Sequence, residues 1–265
     1  MYRRIIVERD SDSRISWIKL NNPERLNVLN MELMNELYDA LLSADKDDSV
    51  HAIIIASVGN NFCAGADLRE LINLDFEKGV RWSEAYWRIL RLIRETGKPV
   101  IAAIRGACVG GGHELVMMCD LVVAGKSSKL GQPEATVGST ALGGGVQLLP
   151  LIVGDKRARE ILFTAKLLSA DEAYQLGLVN RIVDDEKVDE EARKLAIEII
   201  DKRSPQAFRV MKSALTFWTD LAMLNRQLAR DITSMVWLSE EFRERSRDFL
   251  EKRKMKSRKF TGISP

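Results

Sequence analysis

The chain has 265 residues, 46% of them hydrophobic and 29% charged, which is ample material for a sizeable buried core and excludes a disordered composition. Lys and Arg number 40 against 38 Asp and Glu, a formal charge of +2, which argues against nucleic-acid binding through bulk charge. No run approaches the ~18–20 apolar residues of a membrane span, and residues 1–10 alternate charged and β-branched side chains where a signal peptide would have an apolar core, so the expected location is cytoplasmic.

Ile15–Leu20 is short, β-branched and apolar, and reads as a buried strand. Residues 31–42 then place Leu33, Met34, Leu37, Leu41 and Leu42 on one helical face, with Asn30 as N-cap. Ala52–Ser57 is a second strand. A helix over 84–94 stops before Gly97 and Pro99, and the strands Val100–Ile104 and 121–124 follow. This alternation predicts an α/β fold, and leaves open whether the sheet is open, closed or coiled. From Pro205 to Lys254 only helical periodicity remains. The division is therefore a core over 1–203 and a helical C-terminal lobe over 204–265, whose apolar residues, Trp218 and Trp237 among them, fit packing on another subunit or within the chain.

Cys63, Cys108 and Cys119 are odd in number and form no CxxC pair, so they read as reduced thiols. His51 and His113 are the only histidines, and no Cys/His spacing suits zinc. No metal and no cofactor is expected. Two glycine-bearing loops follow strands directly: 61–68, containing Ala64, Gly65, Ala66, Asp67 and Leu68, and 106–115, containing Gly110, Gly111 and Gly112 before His113 and Glu114. Free N–H groups at a helix start favour negative charge and can hold a phosphate or a transient oxyanion. A tight turn is the plainer account of three glycines, and neither a P-loop lysine nor GxGxxG spacing is present. Glu134 follows Pro133 in a third segment that runs on to Leu142 and Gly143–Gly145; alone, it would be a solvated loop carboxylate.

Together and in order, these segments resemble the enoyl-CoA hydratase/isomerase (crotonase) superfamily. The similarity begins at residues 18–27 with the Asn22-Pro23 turn. It continues through Ala64-Gly65-Ala66-Asp67, the Gly-Gly-Gly-x-Glu helix start and Gly131-Gln132-Pro133-Glu134, to residues 170–179. The resemblance implies a spiral of repeated ββα units, a helical lobe used in trimer assembly, and pairing of trimers into hexamers. It also implies an acyl-CoA thioester whose carbonyl oxygen rests between the N–H groups of Ala66 and Gly111, with the Ala64 carbonyl facing adenine, and Gly65, Asp67 and Leu68 in the binding loop. Glu114 and Glu134 match the family's paired glutamates, which activate water and handle the α-proton. Leu142 departs from the family pattern, standing where hydratases carry a glycine, and is assigned to the substrate site. Other reactions of the superfamily, isomerisation or hydrolysis of a cyclic or β-oxo acyl-CoA, are the alternatives. Residues 243–259 hold nine Lys or Arg against three acids; RNA binding there is the non-enzymatic alternative to an exposed basic helix. His113 reads as a structural residue, because neighbours on a helix point about 100° apart. Asp67 also reads as a cap for the segment that follows it.

Overall fold

The computed structural model describes residues 2–10, 12, 14–141 and 143–260. Strand β1 (Ile5–Asp10) turns back antiparallel on β2 (Ile15–Leu20), and helix α1 (Met31–Lys46) crosses to β3 (Ala52–Ser57), parallel to β2. Short α2 (Leu68–Leu71) and long α3 (Phe76–Glu95) lead to β4 (Val100–Ile104), β5 (Ala107–Val109) and α4 (Gly111–Met118). The next turn is β6 (Leu121–Gly125), β7 (Lys129–Gly131), α5 (Gly145–Val153) and α6 (Asp155–Thr164). Strand β8 (Leu167–Ser169), α7 (Ala170–Gln175) and β9 (Arg181–Val183) make the last turn, covered by α8 (Val188–Lys202).

One sheet has the order β1-β2-β3-β4-β6-β9 and the other β5-β7-β8. Successive turns therefore place one strand in each sheet. Isolated bridges between Cys63 and Cys108, and between Leu29 and Ala66, carry the second sheet one turn further. The result is the spiral of ββα units that the resemblance implied.

The strands are solid apolar runs because both faces of the large sheet are covered. In β3, Ile53 and Ile55 enter the main core with Leu37 and Leu41 of α1. Ala52, Ile54 and Ala56 point the other way, into a second core with Val188, Ala192 and Ala196 of α8. Strand β4 divides likewise, Val100, Ala102 and Ile104 against Ile101 and Ala103, as the period-2 geometry of a strand demands.

The helices run longer than their periodicity suggested. In α1 the Asn30 side chain accepts from Leu33 N at 2.9 Å as the N-cap, and Ala44 continues the buried stripe to Lys46. Helix α3 starts eight residues before Glu84, capped by Asp75. Its first turns were hidden by Gly79, which is there because the lobe crosses at that point: a Cβ on Gly79 would stand 3.2 Å from Ser234 Cβ.

The C-terminal lobe comprises α9 (Pro205–Ala222), α10 (Arg226–Leu238) and α11 (Glu240–Leu250). The helix ends at Leu250 and not at Lys254, and Lys252 takes a left-handed φ of 54°. Buried Lys212 of α9 donates to Asp120 Oδ2 at 2.7 Å and to the Lys98 carbonyl at 2.9 Å. Trp237 of α10 meets Trp82 of α3 edge-on at 5.4 Å. The lobe thus docks on the spiral of its own chain.

Candidate active site

The loops after β3 and β4 leave neighbouring parallel strands at the same end, so their backbones meet. Gly65 takes φ +87°, and a Cβ there would lie 3.1 Å from the Val109 carbonyl and 3.4 Å from Gly111 N. Only a glycine allows this approach. Gly110, the N-cap of α4, has φ 55° and ψ −129°, and its missing Cβ leaves room for Glu134 Oε1, which would stand 3.2 Å away. Among the described residues, the N–H groups of Ala66 and Gly111 have no hydrogen-bond acceptor. The flanking groups do: Leu29 N donates to the Gly65 carbonyl at 2.8 Å and Asp67 N to the Leu29 carbonyl at 2.9 Å. Both donors are thus left unpartnered on fixed backbone, Gly111 at the start of α4, where the helix dipole reinforces it, and Ala66 in the loop before α2.

Glu114 stands on α4, nearly fully buried. Its Oε1 accepts from Gly145 N at 2.8 Å, and a Cβ on Gly143 would stand 2.6 Å from Oε2. Glu134 opens the short turn that follows Pro133. Burial pushes both carboxyls above the ordinary glutamate range. For Glu114 the Gly145 and Gly143 N–H groups oppose the rise, whereas for Glu134 the charge of Glu114 adds to it. Two such groups ionise one after the other, so one proton is retained between them well after an exposed pair would have lost both. Beneath them the buried Tyr86 hydroxyl donates to the Gly111 carbonyl, and burial together with the glutamate charges holds its proton firmly. Glu134 also lines a cavity of about 490 Å³ with Thr140, Ala141, Val146 and Phe163.

Glu114, Glu134, Gly65, Ala66 and Gly111 are thus brought together. Ala64 N donates to the Leu26 carbonyl at 3.0 Å, and among the described residues the Ala64 carbonyl accepts nothing. Asp67 is the N-cap of α2, accepting from Arg69 N at 3.1 Å, and pairs with Arg25 at 2.7 Å. Leu68 opens α2, partly buried against the core. Leu142 lies outside the described residues. His113 is fully buried and bonded to Gln132, and burial pulls its imidazole down to about 4. Arg25, Tyr86 and Gln132 carry no role in the sequence reading. Their partners lie 42, 25 and 19 positions away along the chain, and no local signal marks such pairs. In the basic tail, Lys256 and Arg258 pair with Glu244, and Arg253 with Glu251. Among the described residues no group of three His, Cys, Asp or Glu is gathered as a metal-ligand set. No described helix is long and apolar enough to cross a membrane.

The ββα spiral thus brings two unpartnered backbone N–H groups and two buried glutamates into one region. The chain belongs to the enoyl-CoA hydratase/isomerase family, whose sequence profile matches residues 10–259. It is 35% identical to the crotonyl-CoA hydratase of Syntrophomonas wolfei over 256 residues, 96% of this chain and 97% of that one. It is 32% identical to the short-chain-enoyl-CoA hydratase of Clostridium acetobutylicum over 242 residues, covering 91% and 88%. The crystal structure of an enoyl-CoA hydratase/isomerase from Mycobacterium paratuberculosis superposes with a TM-score of 0.86 at 29% identity, over 94% of this chain and 99% of that one. One from Xanthobacter autotrophicus gives 0.85 at 29% identity, over 95% and 94%. The chain is an enzyme of the enoyl-CoA hydratase kind.

Proposed function

We propose that this enzyme adds water to, or removes it from, an acyl-CoA thioester, with the thioester oxygen held between the N–H groups of Ala66 and Gly111. Attack at the β-carbon drives charge onto that oxygen as an enolate. Donors already fixed in position stabilise it without reorganising, which is where such sites gain most of their rate. Glu114 and Glu134 flank one water, and between them they take its proton and return one to the α-carbon. Their raised, successive ionisation suits this, because one carboxylate and one carboxylic acid are present together near neutral pH. The observation that carries the reading is the pair of unpartnered N–H groups beside two buried carboxyls. The unpartnered carbonyl of half-buried Ala64 supports adenine recognition in the loop that also holds Gly65, Asp67 and Leu68.

The lobe of residues 204–265 supports assembly, as a trimer or a hexamer. Leu215, Trp218 and Leu221 on α9, and Leu228 and Met235 on α10, stand exposed although large and apolar. Three free, buried cysteines fit a reducing, cytoplasmic setting. The chemistry assigned here is carried by side chains and backbone, with coenzyme A as part of the substrate.

The test is a panel of enoyl-CoA esters read by product mass and structure. Gain of one water across the double bond is expected; conserved mass would mark isomerisation, and ring opening would mark hydrolysis. Glu114→Gln and Glu134→Gln are each expected to lower turnover by at least about 10²-fold with little change in CoA-ester affinity. Parent-like turnover in either would remove that glutamate from the reaction.

A further inference from the structure

His113 is 0% and Gln132 1% exposed; the imidazole meets the Gln132 amide at Nδ1 and also lies against the Gly131 carbonyl. The Gln132 amide lies between His113 and Glu134. One end is 3.1 Å from His113 Nδ1, and the other is 2.9 and 3.3 Å from the two Glu134 oxygens. With its nitrogen toward the histidine, the amide would set its oxygen against both Glu134 oxygens, acceptor against acceptors whenever that carboxyl is ionised. Turned the other way, Nε2–H donates to Glu134 and Oε1 accepts from Nδ1–H, so every contact is satisfied. Burial keeps the imidazole neutral, though the Gly131 carbonyl opposes this. The ring therefore carries one N–H, and that hydrogen belongs on Nδ1. His113 Nε2 has no partner among the described residues. It is then a bare acceptor, and no buried donor is left unbonded.

We propose that His113 is a positioning residue for Glu134: its Nδ1–H fixes the amide of Gln132 so that Gln132 turns an N–H, and not an oxygen, toward the Glu134 carboxyl. This rests on Glu134 handling protons in the reaction. The N–H holds the carboxyl in place and favours its ionised form, against the burial and the Glu114 charge that oppose ionisation. An amide oxygen in that position would add to the opposition. His113 acts at one remove and passes no proton itself.

The test is a cycle of variants assayed with crotonyl-CoA. His113→Leu and Gln132→Leu are each expected to lower kcat by about 10- to 100-fold, the value of one hydrogen bond to a charged group, with KM nearly unchanged. The double variant is expected to be no slower than Gln132→Leu alone, since both changes remove one link. His113→Asn carries an N–H close to the place of Nδ1 and is expected to recover most of the rate. Additive losses, or His113→Asn as slow as His113→Leu, would overturn the proposal. The unaltered protein gives a second reading that no folding defect can obscure: ¹⁵N-histidine NMR, with His51→Gln to assign the two rings. The Nδ1–H tautomer is expected at His113, and the Nε2–H tautomer would overturn the link. A Glu134→Gln variant that keeps its turnover would sink the role of Glu134 while leaving the tautomer result standing.

Discussion

Glu134 retains its proton because it is buried and because Glu114 is charged beside it. That has a consequence for stability as well as for catalysis. In the unfolded chain a glutamate titrates near 4.5; in the folded chain this one titrates higher. The native state therefore binds more protons than the unfolded state between those two values, and stability falls as pH rises through that window. Replacing Glu134 with glutamine removes the charge that must otherwise be buried. Urea unfolding is expected to show Glu134→Gln as stable as the parent near pH 5 and more stable by on the order of 1 kcal/mol near pH 8, while turnover collapses. A variant less stable than the parent at the higher pH would mean that the carboxylate gains more from its hydrogen bonds than burial takes away.

Among the elements, α4 concentrates the proposed chemistry. Its first residue is Gly111, with an unpartnered N–H, and its fourth is Glu114, so on that proposal one short helix positions both an electrophilic donor and an acid. Proline at Gly111 would delete the donor, but any Cβ there would lie 2.8 Å from Leu29 Cδ1, and misfolding would be confused with lost catalysis. An ester in place of the Gly110–Gly111 amide removes the N–H and little else. It is expected to lower kcat by about 10²–10³-fold with the circular dichroism spectrum unchanged, and an unaffected rate would remove Gly111 from the oxyanion site. Much of this was legible in advance. Ile15–Leu20, Ala52–Ser57 and Val100–Ile104 could be read because a sheet covered on both faces makes unbroken apolar runs. Glu114 and Glu134 stood out only through the family resemblance of the ordered segments that carry them; alone, Glu134 read as a solvated loop carboxylate. The strands β5, β7, β8 and β9 were not legible, since three residues are too few to show a period. Nor were Arg25 beside Asp67, Tyr86 beneath Gly111, or Lys212 on Asp120, because each pairing exists only after distant turns of the spiral have stacked.

In the whole molecule, Lys212 pins α9 to the spiral and leaves the face carrying Leu215 and Trp218 turned to solvent. If a second copy covers that face, Leu215→Asp with Trp218→Asp is expected to shift the sedimenting mass from a multiple of 29.9 kDa to the single chain. An unchanged mass would place the contact elsewhere. Helix α3 touches both the lobe and the site. At Gly79, Trp82 and Glu84 it receives α10, by close packing with Ser234, the Trp237 edge contact and the Arg230 ion pair. One turn on, Tyr86 grips the Gly111 carbonyl. Trp237 reaches the other side as well, donating to Ser139 at 3.0 Å in the loop behind Glu134. The helix behaves as a beam, loaded by α10 at one end and bearing on the Gly111 backbone at the other. If copies of the chain do cover the lobe, dilution that separates them is expected to slacken the loop at Gly111 first, and turnover to fade while the helices are still intact.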